Sequence, residues 1–166
     1  MNQAIQEQPG TKTTDRPLYS PGLEGVIAGE SALCQVDEGE AGLRYRGYAI
    51  GDLAKWSRFE EVAYLLLIGH LPTRSELDSF STLLRGHRVL PDPVQRFIDS
   101  LQPGLHPMDV LRTGISLLGL SDPDAQDGSH EANLRKSMRL LSQIPLLIAH
   151  SYRVMAGTDP QRSDES

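Results

Sequence analysis

The fold of this chain is decided by the stretch Leu105-His-Pro-Met-Asp-Val-Leu-Arg-Thr-Gly-Ile-Ser-Leu-Leu-Gly-Leu120. It predicts a helix that begins at Pro107, because the N–H that proline lacks would have no partner at the first helical position. Apolar residues then recur at spacings of three and four, as they do on one side of a helix. They form two neighbouring faces: Met108, Leu111, Ile115 and Leu118 on one, and Val110, Gly114 and Leu117 on the other. A helix that is apolar nearly all round is expected inside a domain.

The few polar and small residues of this helix support the same prediction. Asp109 lies in the first turn, where a negative charge meets the positive end of the helix dipole. Arg112 follows three residues later and can pair with it. Gly114 and Ser116 carry little bulk, so another backbone is expected to come close there.

Composition narrows the class of protein. The chain has 166 residues, which favours one domain, and its net charge of −6 argues against nucleic acid or an anionic membrane as the main partner. Cys34 is the only cysteine, so no intrachain disulfide can form and a reducing compartment is favoured. The first residues lack the basic start and apolar run of a signal peptide, and no apolar run approaches the roughly 20 residues of a spanning helix. We therefore expect a soluble, cytoplasmic protein.

The residues around the central helix predict a mostly α-helical fold with a small N-terminal β-hairpin. Alternating residues indicate strands at 26–36 and 43–48. Helical patterns follow at 52–56, 57–69, 73–86, 92–101 and 131–155. Residues 1–20 are predicted to be a disordered arm, 21–157 the ordered segment and 158–166 a polar tail.

Several helix boundaries carry their own signals. Ser57–Glu60 and Thr73–Glu76 have the capping-box pattern, and Asp92 is predicted to cap a helix that begins at Pro93. Pro145 lies inside the last helix, where we expect a kink and not a break. That helix also carries an apolar row at spacings of three and four: Leu134, Met138, Leu141, Pro145, Ile148, Tyr152 and Met155.

The candidate chemistry is sparse. His106 precedes Asp109 by three residues, as in a catalytic base with its orienting carboxylate, but we favour a histidine that bonds to the helix backbone. Arg44 and Arg46 could together hold an anion, but we favour a solvated strand face. For Cys34 we favour a small buried apolar residue over a reactive thiol.

The sequence contains no pattern that predicts a metal site or a nucleotide-binding loop. The five histidines are His70, His87, His106, His130 and His150, and no pair has metal-ligand spacing on a helix. No phosphate-binding glycine loop occurs either. We therefore predict no metal site and assign no cofactor-binding residue.

Four runs, taken in order, resemble the N-terminal part of the large domain of citrate synthase. They are Gly22–Ile27, Leu43–Tyr48, Phe59–Leu67 with Gly69–Pro72, and His106–Thr113. The resemblance covers about residues 20–157. It implies a mostly helical fold with a small hairpin, and a two-fold dimer built from helices of the large domain. The helices at 107–120 and 131–156 resemble two of those interface helices, so we expect part of the apolar row on the last helix to face a partner.

The resemblance also implies an acyltransferase of the tricarboxylic acid cycle, which condenses acetyl-CoA with oxaloacetate and water to give citrate and CoA. In the family an aspartate and two histidines carry the proton chemistry, and arginines hold the carboxylates. The run that bears the first of those histidines, Gly-Pro-Leu-His-Gly-Gly-Ala, has no counterpart here. His106 matches a position outside the catalytic set, and Arg44 and Arg46 match the hairpin without a ligand role. No catalytic residue is therefore assigned to this chain.

Several functions stay open at this point. The chain could be a synthase segment that ends before the catalytic residues and is inactive alone, or one half of a split enzyme. 2-Methylcitrate synthase is similar through this region, so the acyl group is open between acetyl and propionyl. The alternative from another class is a non-catalytic module that dimerises or docks on a citrate synthase C-terminal partner.

Overall fold

The computed structural model describes residues 29–36 and 42–158. The chain divides into two units, Met1–Ala32 and Leu33–Ser166, and the elements below all lie in the second. The predicted arm at 1–20, the start of the first predicted strand at 26–28 and the tail from 159 onward lie outside the described residues, so those boundaries stay predictions. No helix in the described part combines the length and apolar character needed to cross a membrane.

The predicted hairpin is present and continues into a third strand. Strands β1 (Cys34–Val36), β2 (Leu43–Tyr45) and β3 (Tyr48–Ala49) form an antiparallel sheet in that order. The second turn is formed by Arg46 and Gly47, with φ of 48° and 88°. Two successive residues with positive φ are typical of the tight turn that suits the twist of a hairpin. The sequence did not indicate this turn because arginine is unusual in its first position.

Six helices follow within the described residues, which confirms the mostly α-helical prediction. They are α1 (Ile50–Trp56), α2 (Phe59–Ile68), α3 (Arg74–Gly86), α4 (Asp92–Asp99), α5 (Pro107–Ser121) and α6 (His130–Met155). Helix α6 continues through Pro145 as one helix, as predicted, whereas the kink there stays a prediction.

The predicted caps are right at α3 and one residue off at α2 and α4. The Thr73 N–H donates to Glu76 at 2.8 Å, and the Glu76 N–H donates to Thr73 Oγ1. Ser57, in contrast, ends α1 by donating its N–H to the Leu53 carbonyl, so the residue before α2 is Arg58. Only one of the two hydrogen bonds of a capping box forms there: the Arg58 N–H donates to the Glu61 carboxylate at 2.7 Å.

The predicted cap at Asp92 shifts in the opposite direction. The Pro91 carbonyl accepts from Val94 at 2.9 Å and from Gln95 at 3.0 Å. Helix α4 therefore begins one residue earlier than predicted, with Asp92 and Pro93 as its first two residues.

Two apolar clusters hold the helices together, and α6 contributes to both. The larger lies among α4, α5 and α6 and consists of Val94, Ile98, Leu101, Val110, Leu118 and Leu147. The smaller lies between α2 and α3, where Ala63, Phe80 and Leu84 pack with Met138 and Leu141 of α6. Half-buried residues of α6 thus connect the two clusters.

Helix α5 is buried along one line only, so the prediction of burial nearly all round is wrong. Val110, Gly114 and Leu118 are buried, at spacings of four, while Met108 and Leu120 are exposed. The reason is that α4 and α6 are the helices that pack on α5 here. The close approach predicted at Gly114 exists, but it is made by the Leu147 side chain and not by a backbone.

Replacing Gly114 with alanine is expected to destabilise the chain. A Cβ there would lie 2.6 Å from both terminal methyl carbons of Leu147, which is fully buried. Overpacking of this kind costs about 1–3 kcal/mol, more than the gain of about 1 kcal/mol in helix propensity. Gly119→Ala, which has open space in the same helix, is the control and should stabilise. Equal stabilisation of both variants in urea unfolding would contradict the prediction.

The polar loop between α5 and α6 is held by two arginines of α6. The Arg139 guanidinium donates to Asp122 at 2.8 and 2.7 Å and to Asp124 at 2.6 Å. Arg135 donates to Asp124 at 3.0 and 2.7 Å. Two-pronged bonds of this geometry are strong. We call these four residues the loop clamp, since they fix the loop to the helix that follows it.

Candidate functional site

Three exposed apolar side chains, one from α5 and two from α6, line one groove. The groove has a volume of about 230 Å³, between the start of α5 and the end of α6. Met108, Ile148 and Tyr152 line it and are 62%, 50% and 69% exposed. We call Met108, Leu111, Ile148, Tyr152 and Met155 the α5/α6 face. Its α6 residues belong to the apolar row predicted on that helix.

The groove between α5 and α6 is also lined by one buried polar side chain. Ser151 lines the groove and is buried, and its Oγ has no hydrogen bond among the described residues. Leaving a buried hydroxyl unpaired costs about 1–3 kcal/mol. A molecule seated in the groove would lower that cost by offering a donor or an acceptor.

A second apolar groove lies between α2 and α6 and was not predicted. It has a volume of about 520 Å³, and Phe59, the first residue of α2, lines it while 65% exposed. We call it the α2/α6 groove; its lining residues are Phe59, Ala63, Leu66, Leu67, Ser137, Leu140, Leu141, Ile144 and Pro145.

His106 and Asp109 do not form a catalytic pair. His106 Nδ1 accepts a hydrogen bond from the Met108 N–H at 3.3 Å, so this histidine caps α5. Asp109 accepts from Arg112 at 3.0 Å. The backbone-bonded interpretation is therefore confirmed, as are the proline start of α5 and the ion pair.

Arg44 and Arg46 bond to the backbone. Arg44 donates to the Gly47 carbonyl at 3.1 Å. Arg46 lies in the turn and reaches the Leu66 carbonyl near the end of α2 at 3.2 Å, where a cation also suits the helix dipole. The predicted solvated strand face is wrong for Arg46, which is half-buried in the turn and joins the sheet to α2, whereas the Arg44 hydrogen bond is exposed.

Cys34 is exposed, so the prediction of a small buried residue is wrong. It lies in β1, an edge strand whose three residues are all exposed, because β2 is the strand that pairs with it. In the part of the chain that the structure describes, no three His, Cys, Asp or Glu side chains converge as a metal site would need.

Glu76 accepts hydrogen bonds from His70 and from the Thr73 hydroxyl in addition to the capping bond from the Thr73 N–H. Bonds from the Thr73 N–H and hydroxyl, with one from His70, lower the pKa of Glu76 to about 2. Burial and the charge of Glu76 raise the pKa of Tyr64, whose ring packs edge-on against both His70 and Phe80. This cluster ties α2 to the start of α3 and is structural.

Comparison with known proteins matches this chain to one family. The family profile described as "Citrate synthase, C-terminal domain" matches residues 22–166. The 2-methylcitrate synthase of Shewanella oneidensis is 42% identical over 138 residues, covering 83% of this chain and 36% of that protein. The citrate synthase of Acidithiobacillus ferridurans is 38% identical over 149 residues, covering 87% of this chain and 39% of that protein.

Solved structures agree with these matches. The citrate synthase of Thermotoga maritima superposes with a TM-score of 0.73 at 36% identity, covering 85% of this chain and 36% of the other. That of Pyrobaculum aerophilum gives a TM-score of 0.75 at 31% identity, covering 97% and 43%. The chain thus spans between a third and a half of the length of each of these proteins.

Proposed function

The chain belongs to the citrate synthase family, and we propose that it supplies the helical scaffold of an acyl-CoA condensing enzyme whose catalytic residues lie in a part of the fold outside residues 1–166. The assembly would join acetyl-CoA or propionyl-CoA to oxaloacetate. Water then cleaves the thioester, which gives citrate or 2-methylcitrate and CoA. In this proposal the proton chemistry belongs to that remaining part of the fold.

The observation that carries the proposal is the α5/α6 face. Contiguous apolar patches of this kind mark interaction sites on the surfaces of folded proteins. The helices themselves are well terminated, since the Gly157 and Thr158 N–H groups close the end of α6 on the Val154 and Arg153 carbonyls. A segment with complete local signals and an uncovered apolar face is suited to fold against a partner.

Co-expression tests the proposal. The probe is the part of the Shewanella oneidensis 2-methylcitrate synthase outside the matched 138 residues. We expect it to co-purify with this chain and the pair to release CoA from propionyl-CoA or acetyl-CoA in the presence of oxaloacetate. Ile148→Asp should abolish assembly, because it places an unpaired charge in the face.

The control for Ile148→Asp is Leu120→Asp, since Leu120 is 83% exposed and outside the face. Equal co-purification of wild type and Ile148→Asp would show that the surface is wrong. If the wild-type chain does not co-purify with the fragment, the proposed association of these residues with the rest of the fold is refuted.

The second candidate is a non-catalytic module that associates with a second copy of itself. It is favoured by the same exposed α5/α6 face, because an apolar patch on one chain can pack against the same patch of a second copy. Light scattering of the isolated chain should then give a dimer mass that Tyr152→Asp reduces to that of a monomer. A monodisperse wild-type monomer that binds no hydrophobic dye would rule this candidate out.

A further inference from the structure

A polar cleft lies between the start of α2 and one side of α3. Its volume of about 730 Å³ falls within the range of small-molecule sites, about 300–1,000 Å³. The residues that it takes from α3 recur at spacings of three and four, as on one side of a helix. They are Arg74, Leu77, Asp78, Ser81, Thr82 and Arg85. The lining includes no residue of α5 or α6, so the cleft is separate from the surface used in the proposed function.

Three arginines lie at one end of this cleft. Helices α2 and α3 pack on each other and are joined by residues 69–73 alone, so they run antiparallel. The start of α2 is therefore opposite the end of α3. Arg58, just before α2, lies at the same end of the cleft as Arg85 and Arg88. Glu60 and Arg88 also line a second cavity together, which agrees with this arrangement.

The donors of these three arginines are largely unused. Within residues 29–36 and 42–158, the guanidinium groups of Arg58 and Arg88 make no hydrogen bond and no ion pair. Arg85 donates to the Thr82 hydroxyl at 3.1 Å, which is a neutral partner. We call Arg58, Arg85 and Arg88 the arginine cluster.

The carboxylates of the cleft do not neutralise the arginine cluster. Glu61 accepts a hydrogen bond from the Arg58 N–H, and Asp78 pairs with Arg74 at 3.4 Å. Glu60 is the one lining carboxylate that has no partner in the described part of the chain. Three guanidinium groups against one such carboxylate leave a local surplus of two positive charges.

Trp56 lines the same cleft and is 74% exposed. It lies two residues before Arg58, at the end where the arginine cluster is. The Lys55 ammonium lies 4.7 Å from the centre of the Trp56 ring and adds another positive charge beside this end. Because Trp56 is the only tryptophan of the chain, its fluorescence reports on this cleft alone.

We propose that the arginine cluster binds a small anion with at least two negative charges, carried by phosphate or carboxylate groups. Guanidinium groups hold such oxyanions through two parallel charge-assisted hydrogen bonds. A cleft with a surplus of one charge also raises the local concentration of ions of the opposite sign. A singly charged anion would neutralise half of the surplus, so multiply charged anions should bind more tightly.

The test is a titration of the full 166-residue chain, followed by the fluorescence of Trp56. Sodium pyrophosphate and sodium tricarballylate are titrated separately at constant ionic strength, with sodium acetate as the singly charged control. We expect a saturable change with at least one of the two probes, at least tenfold tighter than with acetate. The probe that binds identifies phosphate or carboxylate as the recognised group, and added salt should weaken its binding.

Arginine variants locate the bound anion. Arg58→Met and Arg88→Met should each weaken binding at least fivefold, whereas Arg112→Met, on α5 and outside the cleft, should change it less than twofold. All three remove an exposed side chain, so circular dichroism should show unchanged helix content. Arg88→Lys keeps the charge but loses the two-pronged geometry, and should weaken binding less than Arg88→Met.

Two results would overturn the inference. One is the lack of a saturable change with both probes, or a response no tighter than that to acetate. The other is equal binding by wild type, Arg58→Met and Arg88→Met. Neither result bears on the proposed function, because its test depends on the α5/α6 face.

Discussion

Purified alone, the chain is expected to release no CoA from acetyl-CoA or propionyl-CoA in the presence of oxaloacetate. The condensation needs a base for the acyl carbon and donors for the developing enolate, and losing each such group typically costs about 10²–10⁴ in rate. The family's catalytic histidine run is absent from the sequence. Among the described residues, His106 and Asp109 are engaged as a helix cap and an ion pair.

The assay follows thiol release with a thiol-reactive dye. Cys34 is an exposed thiol, so the Cys34→Ser variant is used and a substrate-free blank is subtracted. The full-length Shewanella oneidensis enzyme is the positive control. Turnover that scales with the amount of chain and survives removal of host synthase would contradict the prediction.

Replacing Arg139 with methionine is expected to destabilise the chain by about 2–4 kcal/mol, between the values for exposed and buried ion pairs. The Arg139 and Asp122 side chains are only 16% and 12% exposed, and the variant leaves that carboxylate without its strongest partner. Arg112→Met is the matched control, because Arg112 pairs with Asp109 on the exposed surface of α5. Urea unfolding should show a change below about 1 kcal/mol for the control.

In Arg139→Met, the free energy of unfolding should also fall less as the pH is lowered. Burial alone would raise the pKa of Asp122, but the bonds from Arg139 and from the Asp124 N–H outweigh burial and lower that pKa. Bonds from Arg135 and Arg139 lower the pKa of Asp124. A carboxyl with a depressed folded pKa stabilises the fold above its unfolded pKa of about 4, and that stability is lost as the pH falls further.

The pH measurement compares free energies of unfolding between pH 6 and pH 3. The wild-type chain should lose stability below about pH 4, and Arg139→Met should lose less because it forms fewer of these bonds. Parallel losses in both proteins would show that the loop clamp does not cause the acid sensitivity.

Local signals predicted the helices well, because they act within one turn of the backbone. Pro107, Thr73 and Gly69 each sit where the sequence placed them, at the start of α5, before α3 and after α2. The boundaries at Ser57 and Asp92 shifted by one residue, since the hydrogen bonds of Leu53 and Pro91 decide them. The third strand depends on a turn whose first residue, Arg46, gives no turn signal.

The candidate site was predicted in part. The family resemblance implied that part of the apolar row on α6 faces a partner. Ile148 and Tyr152 of that row are exposed, whereas Met138 and Leu141 pack against the smaller cluster, so the partner itself stays a prediction. The contribution of Phe59 was not predictable, because it depends on how α2 packs against α6. Cys34 was misjudged for a similar reason: an alternating pattern does not reveal that a strand lies at the edge of a sheet.

The loop clamp also bears on the order of folding. Its ion pairs join residues only 11 to 17 positions apart, and α5 packs directly on α6 beside the same loop. Short loops close at little entropic cost, and folds rich in local contacts form quickly. We therefore expect the α5–loop–α6 hairpin to be formed in the folding transition state, so that Arg139→Met slows refolding whereas Arg112→Met leaves the rate unchanged.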